Sequence, residues 1–218
     1  MKKVVDKNEL RPLLKDGISI MFGGFMACGT PEGLVDLLIE MNIKELTLIC
    51  NDAGFPDRGI GKLIVNKQVK KLITSHIGLN PEAGRQMNEG TLEVQLVPQG
   101  TLAEQIRAEG SGIGGFLTPT GVGTSVETGK QKLTINGKDY LLELPLKADF
   151  AMLRGSITDT DGNIYYNGTT RNFNPLMALA ADNVIVETEE LVERGQIKPE
   201  DVMTLGVLVR YIVKEEKK

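Results

Sequence analysis

Tryptophan is absent from this 218-residue chain, histidine occurs once and cysteine twice, and each scarcity removes a class of function. His76 has no second imidazole to share a metal with, and no nucleophile elbow accompanies it for a Ser-His or Cys-His dyad. Cys28 and Cys50 are too few for a disulfide framework and read as two reduced, buried small hydrophobes. The scattered cysteines and carboxylates show no ligand spacing, so no metal is expected. A formal net charge of −4 offers no concentrated basic surface, which argues against nucleic acid as a partner. No apolar run approaches the roughly 20 residues that span a bilayer, and the charged start MKKVVDKNEL lacks the apolar core of a secretion signal. A cytoplasmic protein without membrane association is the expectation.

What is present is ordinary globular composition, 41% hydrophobic and 25% charged, which supports a full core. Single cores keep growing to roughly 250–300 residues, so residues 1–218 are expected to form one α/β domain. Short branched-aliphatic runs alternate with Gly- or Pro-containing turns and longer segments of helical apolar spacing. Strands are expected at Ile18 to Phe22, Leu46 to Cys50, Lys71 to Ser75, around Leu92, Val94 and Leu96, at Phe150 to Ile157 and at Val184 to Glu187. Pro31 can open a helix carrying Leu34, Val35, Leu37, Leu38 and Met41, and further helical stretches fall near 58–68, 101–109 and 175–182. The sum is a mostly parallel sheet with helices on both faces. Leu133 to Ile135, Asn136-Gly137 and Tyr140 to Leu142 read as a hairpin with a primed turn. The closing KEEKK reads as a solvated tail, and the glycine-dense stretch Gly110 to Gly129 as a long, functional loop.

Gly23, Gly24, Phe25, Met26, Ala27, Cys28 and Gly29 lie between an expected strand and an expected helix. Glycines there let backbone amides approach a ligand, and a helix start offers positive partial charge, so an anionic or phosphate-bearing ligand suits the loop. Two nucleotide motifs fail in context. Gly110, Gly112 and Gly115 satisfy G-x-G-x-x-G without a strand before or a helix after them. The stretch from Gly54 to Lys62 has the wrong spacing for a phosphate loop, with Leu63 where a magnesium-binding hydroxyl belongs.

From Asp16 to Pro31 the chain reads DGISIMFGGFMACGTP, and this run resembles the signature of the A subunit of the two-subunit CoA-transferases. Leu48 to Asp52, Val97 to Leu102, Leu117 to Thr124 and Thr170 to Pro175 are similar to the A subunits of butyrate-acetoacetate or acetoacetate CoA-transferases, so the likeness spans nearly the whole chain. It implies a fold of the CoA-transferase type, within the wider group shared with sugar-phosphate isomerases. It also implies a partner B subunit of similar size, in a heterodimer or an A2B2 heterotetramer.

In that family a glutamate attacks the acyl-CoA thioester, and a glutamyl-CoA thioester is then resolved by a second carboxylic acid in a ping-pong reaction. The Ser-Glu-Asn-Gly motif that holds this glutamate on the B half does not occur between Met1 and Lys218, so the chain alone is expected to be inactive. Glu127, in Ser-Val-Glu-Thr-Gly, reads instead as a solvated loop carboxylate. The resemblance implies that Gly23 to Gly29 contact coenzyme A or acyl-CoA, that Gly121 and Gly123 help line the acyl side, and that acetate, butyrate and acetoacetate are the acids exchanged. A tetrahedral intermediate needs neutral donors aimed at its oxyanion, and side-chain amides supply these without neutralising an attacking carboxylate. Asn51 and Gln99 follow apolar strands and are the candidates for that role. Arg171 could pair with CoA phosphates, with a carboxylate across the subunit boundary, or with a structural partner. A non-catalytic CoA-binding or assembly module of the same fold is the alternative.

Overall fold

The computed structural model describes residues 3–216. Eight strands form one parallel path: β1 (Lys3–Val4), β2 (Ser19–Phe22), β3 (Leu46–Asp52), β4 (Val69–His76), β5 (Glu93–Leu96), β9 (Ala148–Asp159), β11 (Ala181–Val192) and β12 (Tyr211–Lys214). Their spatial order is β1-β12-β11-β9-β2-β3-β4-β5, and β10 (Ile164–Tyr165) adds an antiparallel pairing to β9. The chain builds outward from β2 in one direction through β5 and then returns to build the other half from β9. Strand order therefore reverses between β2 and β9, which pair directly from Ile20↔Phe150 to Phe22↔Met152.

Alternate residues of each strand feed two cores. Ile20, Phe22, Leu48, Leu72 and Met152 face one side, packed by α1 (Glu32–Glu40), α2 (Gly61–Val65) and α3 (Pro81–Asn88). Met21, Ile49, Ile73, Ala151 and Val186 face the other, packed by α4 (Gln99–Gly110) and α5 (Asn174–Met177). Burial on both faces is why the central strands β2 and β3 read as near-continuous apolar runs rather than alternating ones. On α1, Leu34, Leu37 and Leu38 are fully buried at helical spacing, each contributing about 2–3 kcal/mol relative to exposure.

The remaining strands, β6 (Phe116–Thr118), β7 (Lys132–Ile135) and β8 (Lys138–Glu143), form a separate antiparallel sheet in the order β6-β8-β7. The expected hairpin is its core, with Asn136 at φ 52° and Gly137 at φ 75° in the primed turn. The stretch from Gly110 to Gly129 is not one long loop: Gly110 ends α4, and Phe116 to Thr118 pair with β8 because this short β-prone run escapes the surrounding glycines.

Several other boundaries differ from expectation. The helix expected near 175–182 stops at Met177, because the Ala180 carbonyl is taken by the Ala148 amide (3.1 Å) and β11 begins at Ala181. The stretch near 58–68 is helical only over α2. Helix α3 was not expected, since its polar sequence buries only Ala83 and Gln86; Asn80 caps it and Pro81 opens it. Of the closing tail, Lys214 belongs to β12, Glu215 donates its amide to the Thr188 carbonyl (2.8 Å), and Glu216 pairs with Lys7 (2.9 Å). Lys217 and Lys218 lie outside the described residues.

Candidate functional site

All eight parallel strands end at the same edge, and the expected site residues gather there. In open α/β sheets ligands bind outside the carboxyl ends of strands where strand order reverses. Here that point is the crevice between β2 and β9, and the Gly23–Gly29 loop leaves β2 directly over it. Phe25 and Cys28 exchange backbone hydrogen bonds (3.0 and 2.9 Å) around Met26 and Ala27, both with positive φ, so the loop is a tight reversal. Its tip presents Phe25 and Met26, each nearly half exposed. Gly24 sits at φ +125°, a region closed to side-chain-bearing residues.

The loop is held by a segment more than 140 residues away in sequence. Asn172 accepts from the Gly24 amide (3.0 Å) and donates to the Cys28 carbonyl (3.0 Å). Asn174 donates to the Gly29 carbonyl (2.9 Å), and Thr169 Oγ1 lies 3.2 Å from Cys28 Sγ. From the other side, Asp52 accepts from the Met26 amide (2.9 Å). A second tip, Gly54 to Gly59, repeats the Gly-Phe-x-x-x-Gly spacing after β3, with Phe55 bridged to Arg58 and the Arg58 guanidinium over the Phe55 ring at 4.3 Å. The cavity enclosed beneath the two tips is about 10 Å³, enough for about one water, so any ligand lies on the exposed side of the tips.

Expectation and structure part over the loop's charge. The amides of Gly23, Gly24, Phe25, Met26 and Cys28 are already bonded to protein acceptors. The start of α1 is likewise occupied: the Glu187 carboxylate accepts from Gly33 (3.0 Å) and Leu34 (2.8 Å). Burial pushes the Glu187 carboxyl above its ordinary range; the two amides and Arg154 oppose the shift, and Glu215 adds to it. Asn172, Asn174, Asp52 and Glu187 are the site residues that sequence reasoning missed. Their partners are distant in sequence, so no local spacing marks them.

Asn51 and Gln99 are brought together. Gln99 Nε2 donates to Asn51 Oδ1 (2.6 Å), and Asn51 Nδ2 donates to the Gly24 carbonyl (2.7 Å). Asn51 lies inside the end of β3 and is buried, whereas Gln99 opens α4 and is exposed. The relay thus runs from solvent through two amides to the loop.

The other expected residues lie further out. Gly121 (φ +92°) and Gly123 sit in the turn after β6, and the Gly123 amide bonds Glu127 (2.7 Å). Glu127 also pairs with Lys132 (2.9 Å), so it closes that turn rather than standing free in solvent; the Gly123 amide, then Lys132, hold its carboxyl below the ordinary range. Cys50 is buried as expected and burial pushes its thiol up, but Cys28 is exposed because the tight reversal places it on the tip. His76 ends β4 as an exposed side chain. Arg171 is exposed and, among the described residues, is the one arginine without an ion pair, hydrogen bond or ring contact. No group of metal-ligating side chains occurs among the described residues, and no helix among them is long and apolar enough to cross a membrane.

Solved structures with this fold include an acyl-CoA transferase from E. coli O157:H7 in a thioester complex with CoA, with TM-score 0.86 and 20% identity. The alignment covers 98% of this chain and 47% of that one. Glutaconate coenzyme A-transferase from Acidaminococcus fermentans aligns with TM-score 0.85 and 18% identity, covering 98% of this chain and 75% of that one. In sequence, the acetoacetyl-CoA:acetate/butyrate CoA transferase alpha subunit of Clostridium acetobutylicum is 58% identical, over 98% of each chain. The acetate CoA-transferase subunit alpha of Escherichia coli K12 is 54% identical, over 97% of this chain and 96% of its own. The family model "Coenzyme A transferase" matches residues 7–215. With the signature loop over the strand-order reversal, the paired amides beside it and these likenesses over almost the whole length, the chain belongs to the coenzyme A transferase family.

Proposed function

We propose that this chain is the A half of a transferase that moves CoA between short-chain carboxylic acids, with acetate, butyrate and acetoacetate as the set exchanged. It is a cytoplasmic enzyme of one domain that works with a B-type subunit, as a heterodimer or an A2B2 heterotetramer. The partner supplies the glutamate that attacks the acyl-CoA thioester and carries CoA as a glutamyl thioester before a second acid releases it.

The observation that carries this reading is the relay from Gln99 through Asn51 to the Gly24 carbonyl, because it couples an exposed neutral donor to the loop that borders the cofactor. Gln99 is the group that reaches the reacting carboxylates. Its amide stabilises developing negative charge without neutralising the attacking glutamate. Asn51 is a positioning residue that orients Gln99 and fixes the loop. Phe25 and Met26 supply apolar contact for CoA, and Gly121 and Gly123 lie toward the acyl group.

Co-expression with the B-type chain tests the proposal. Acyl exchange should require both polypeptides, and mass spectrometry should detect a glutamyl-CoA adduct on the partner. Exchange by this chain alone would overturn the assignment. Full exchange by a Gln99→Ala heteromer would remove Gln99 from the catalytic role, whereas a parent heteromer that binds CoA without exchanging acyl groups would favour the non-catalytic module.

A further inference from the structure

Coenzyme A is polyanionic, yet the backbone groups best placed to meet it are spent. The loop amides are bonded to Met152, Asn172, Cys28, Asp52 and Phe25, and the Glu187 carboxyl group occupies the amides at the start of α1. Among this chain's own groups, positive charge for the phosphates is then left to the side chains at this edge. Arg58, on the neighbouring tip, is engaged with the Phe55 ring and lies 4.0 Å from Asp57.

Arg171 ends the 3-10 turn Gly168–Arg171, in the segment that clamps the signature loop through Thr169, Asn172 and Asn174. That clamp lies at the strand-order reversal, where α/β sheets bind ligands. The other arginines of the chain have partners among the described residues; Arg171, mounted on the most heavily tied turn of the site, has none. A guanidinium binds phosphate through two parallel hydrogen bonds and keeps its charge at every physiological pH. Resting on the transferase reading, we propose that Arg171 anchors the phosphate groups of acyl-CoA, fixing the cofactor beside the Gly23–Gly29 loop without touching the reacting atoms.

The test compares acetyl-CoA with acetyl-pantetheine, which keeps the thioester and lacks every phosphate, using the co-expressed heteromer. In Arg171→Ala, kcat/KM for acetyl-CoA should fall about ten- to a hundredfold, the range for a lost charge-assisted hydrogen bond. The value for acetyl-pantetheine should stay within about twofold of the parent, and Arg171→Lys should recover part of the loss. Equal losses on both substrates, no loss on either, or a heteromer that no longer forms on a sizing column would overturn the assignment, the last by making Arg171 a subunit contact. Should the parent heteromer exchange no acyl groups, the transferase reading fails separately. Calorimetric binding of CoA against pantetheine to parent and Arg171→Ala heteromers then decides the phosphate contact alone, and equal CoA affinities would refute it.

Discussion

Asn174 Oδ1 occupies the space beside Gly23 in which any side chain would begin: a Cβ built on Gly23 falls 1.8 Å from it. The same asparagine accepts from the Arg154 amide (3.0 Å) and donates to the Gly29 carbonyl (2.9 Å), so it cannot swing aside without breaking both. Gly23→Ala should therefore displace the signature loop rather than be absorbed, at a cost of about 1–3 kcal/mol. We expect a fall in Tm of roughly 3–10 °C by calorimetry and a larger proportional loss of exchange. An unshifted Tm would mean that Asn174 yields.

Gln99 and Asn51 should separate in kinetics. Removing one preorganised donor to an oxyanion costs about 10²–10³ in kcat, so Gln99→Ala should lose that much with little change in stability, the side chain being exposed. Asn51→Asp keeps the shape but takes away the donor to the buried Gly24 carbonyl. It should lower both Tm and kcat. Equal kcat losses without any stability difference would contradict the division between reacting and positioning amide.

The strands and the loop were legible in the sequence because their signals are local. Ile18 to Phe22 and Leu46 to Cys50 are apolar except for Ser19 and Thr47, since both faces are largely buried, and a run of that kind needs no partner to be recognised. Asn51 and Gln99 stand in stretches that resemble a family, and the structure brings them into contact. What was hidden depends on pairing across the fold. Asn172, Asn174 and Glu187 are ordinary polar residues in their own neighbourhoods, and only tertiary structure sets them against Gly24, Gly29 and Leu34. Helix α3 was hidden for a related reason, since a capping asparagine and a proline start it while no apolar stripe announces it.

Glu187 should give the protein a pH dependence of definite sign. Its carboxyl, raised by burial above the ordinary value of 4.5, binds its proton more tightly folded than unfolded. Its contribution to stability is therefore fully present below that ordinary value and declines as pH rises through the folded one. Glu187→Gln removes the titration while keeping an acceptor for one α1 amide. Urea unfolding across the mildly acidic range should show stability falling more steeply with rising pH in the parent than in the variant. Parallel curves would show that Glu187 does not titrate differently on folding.

The small antiparallel sheet depends on one buried charge. Glu143, 2% exposed, pairs with Lys130 (2.6 Å) and accepts from Gln105 of α4 (3.0 Å), so it ties β8 both to the turn before β7 and to the main body. Deleting one partner of a buried pair leaves an uncompensated charge and costs about 3–5 kcal/mol, whereas removing both charges is often neutral. Lys130 is partly exposed, which places Lys130→Met toward the lower end of that range. The loss should be local: hydrogen exchange should accelerate across β7 and β8 before it does in β2 or β3, because the two sheets are separate hydrogen-bonded units. Adding Glu143→Gln should restore most of the protection, since Gln105 can still bond the neutral amide while the stranded charge is gone. A double variant no better protected than Lys130→Met would place the cost in lost packing of the lysine stem rather than in the unpaired carboxylate.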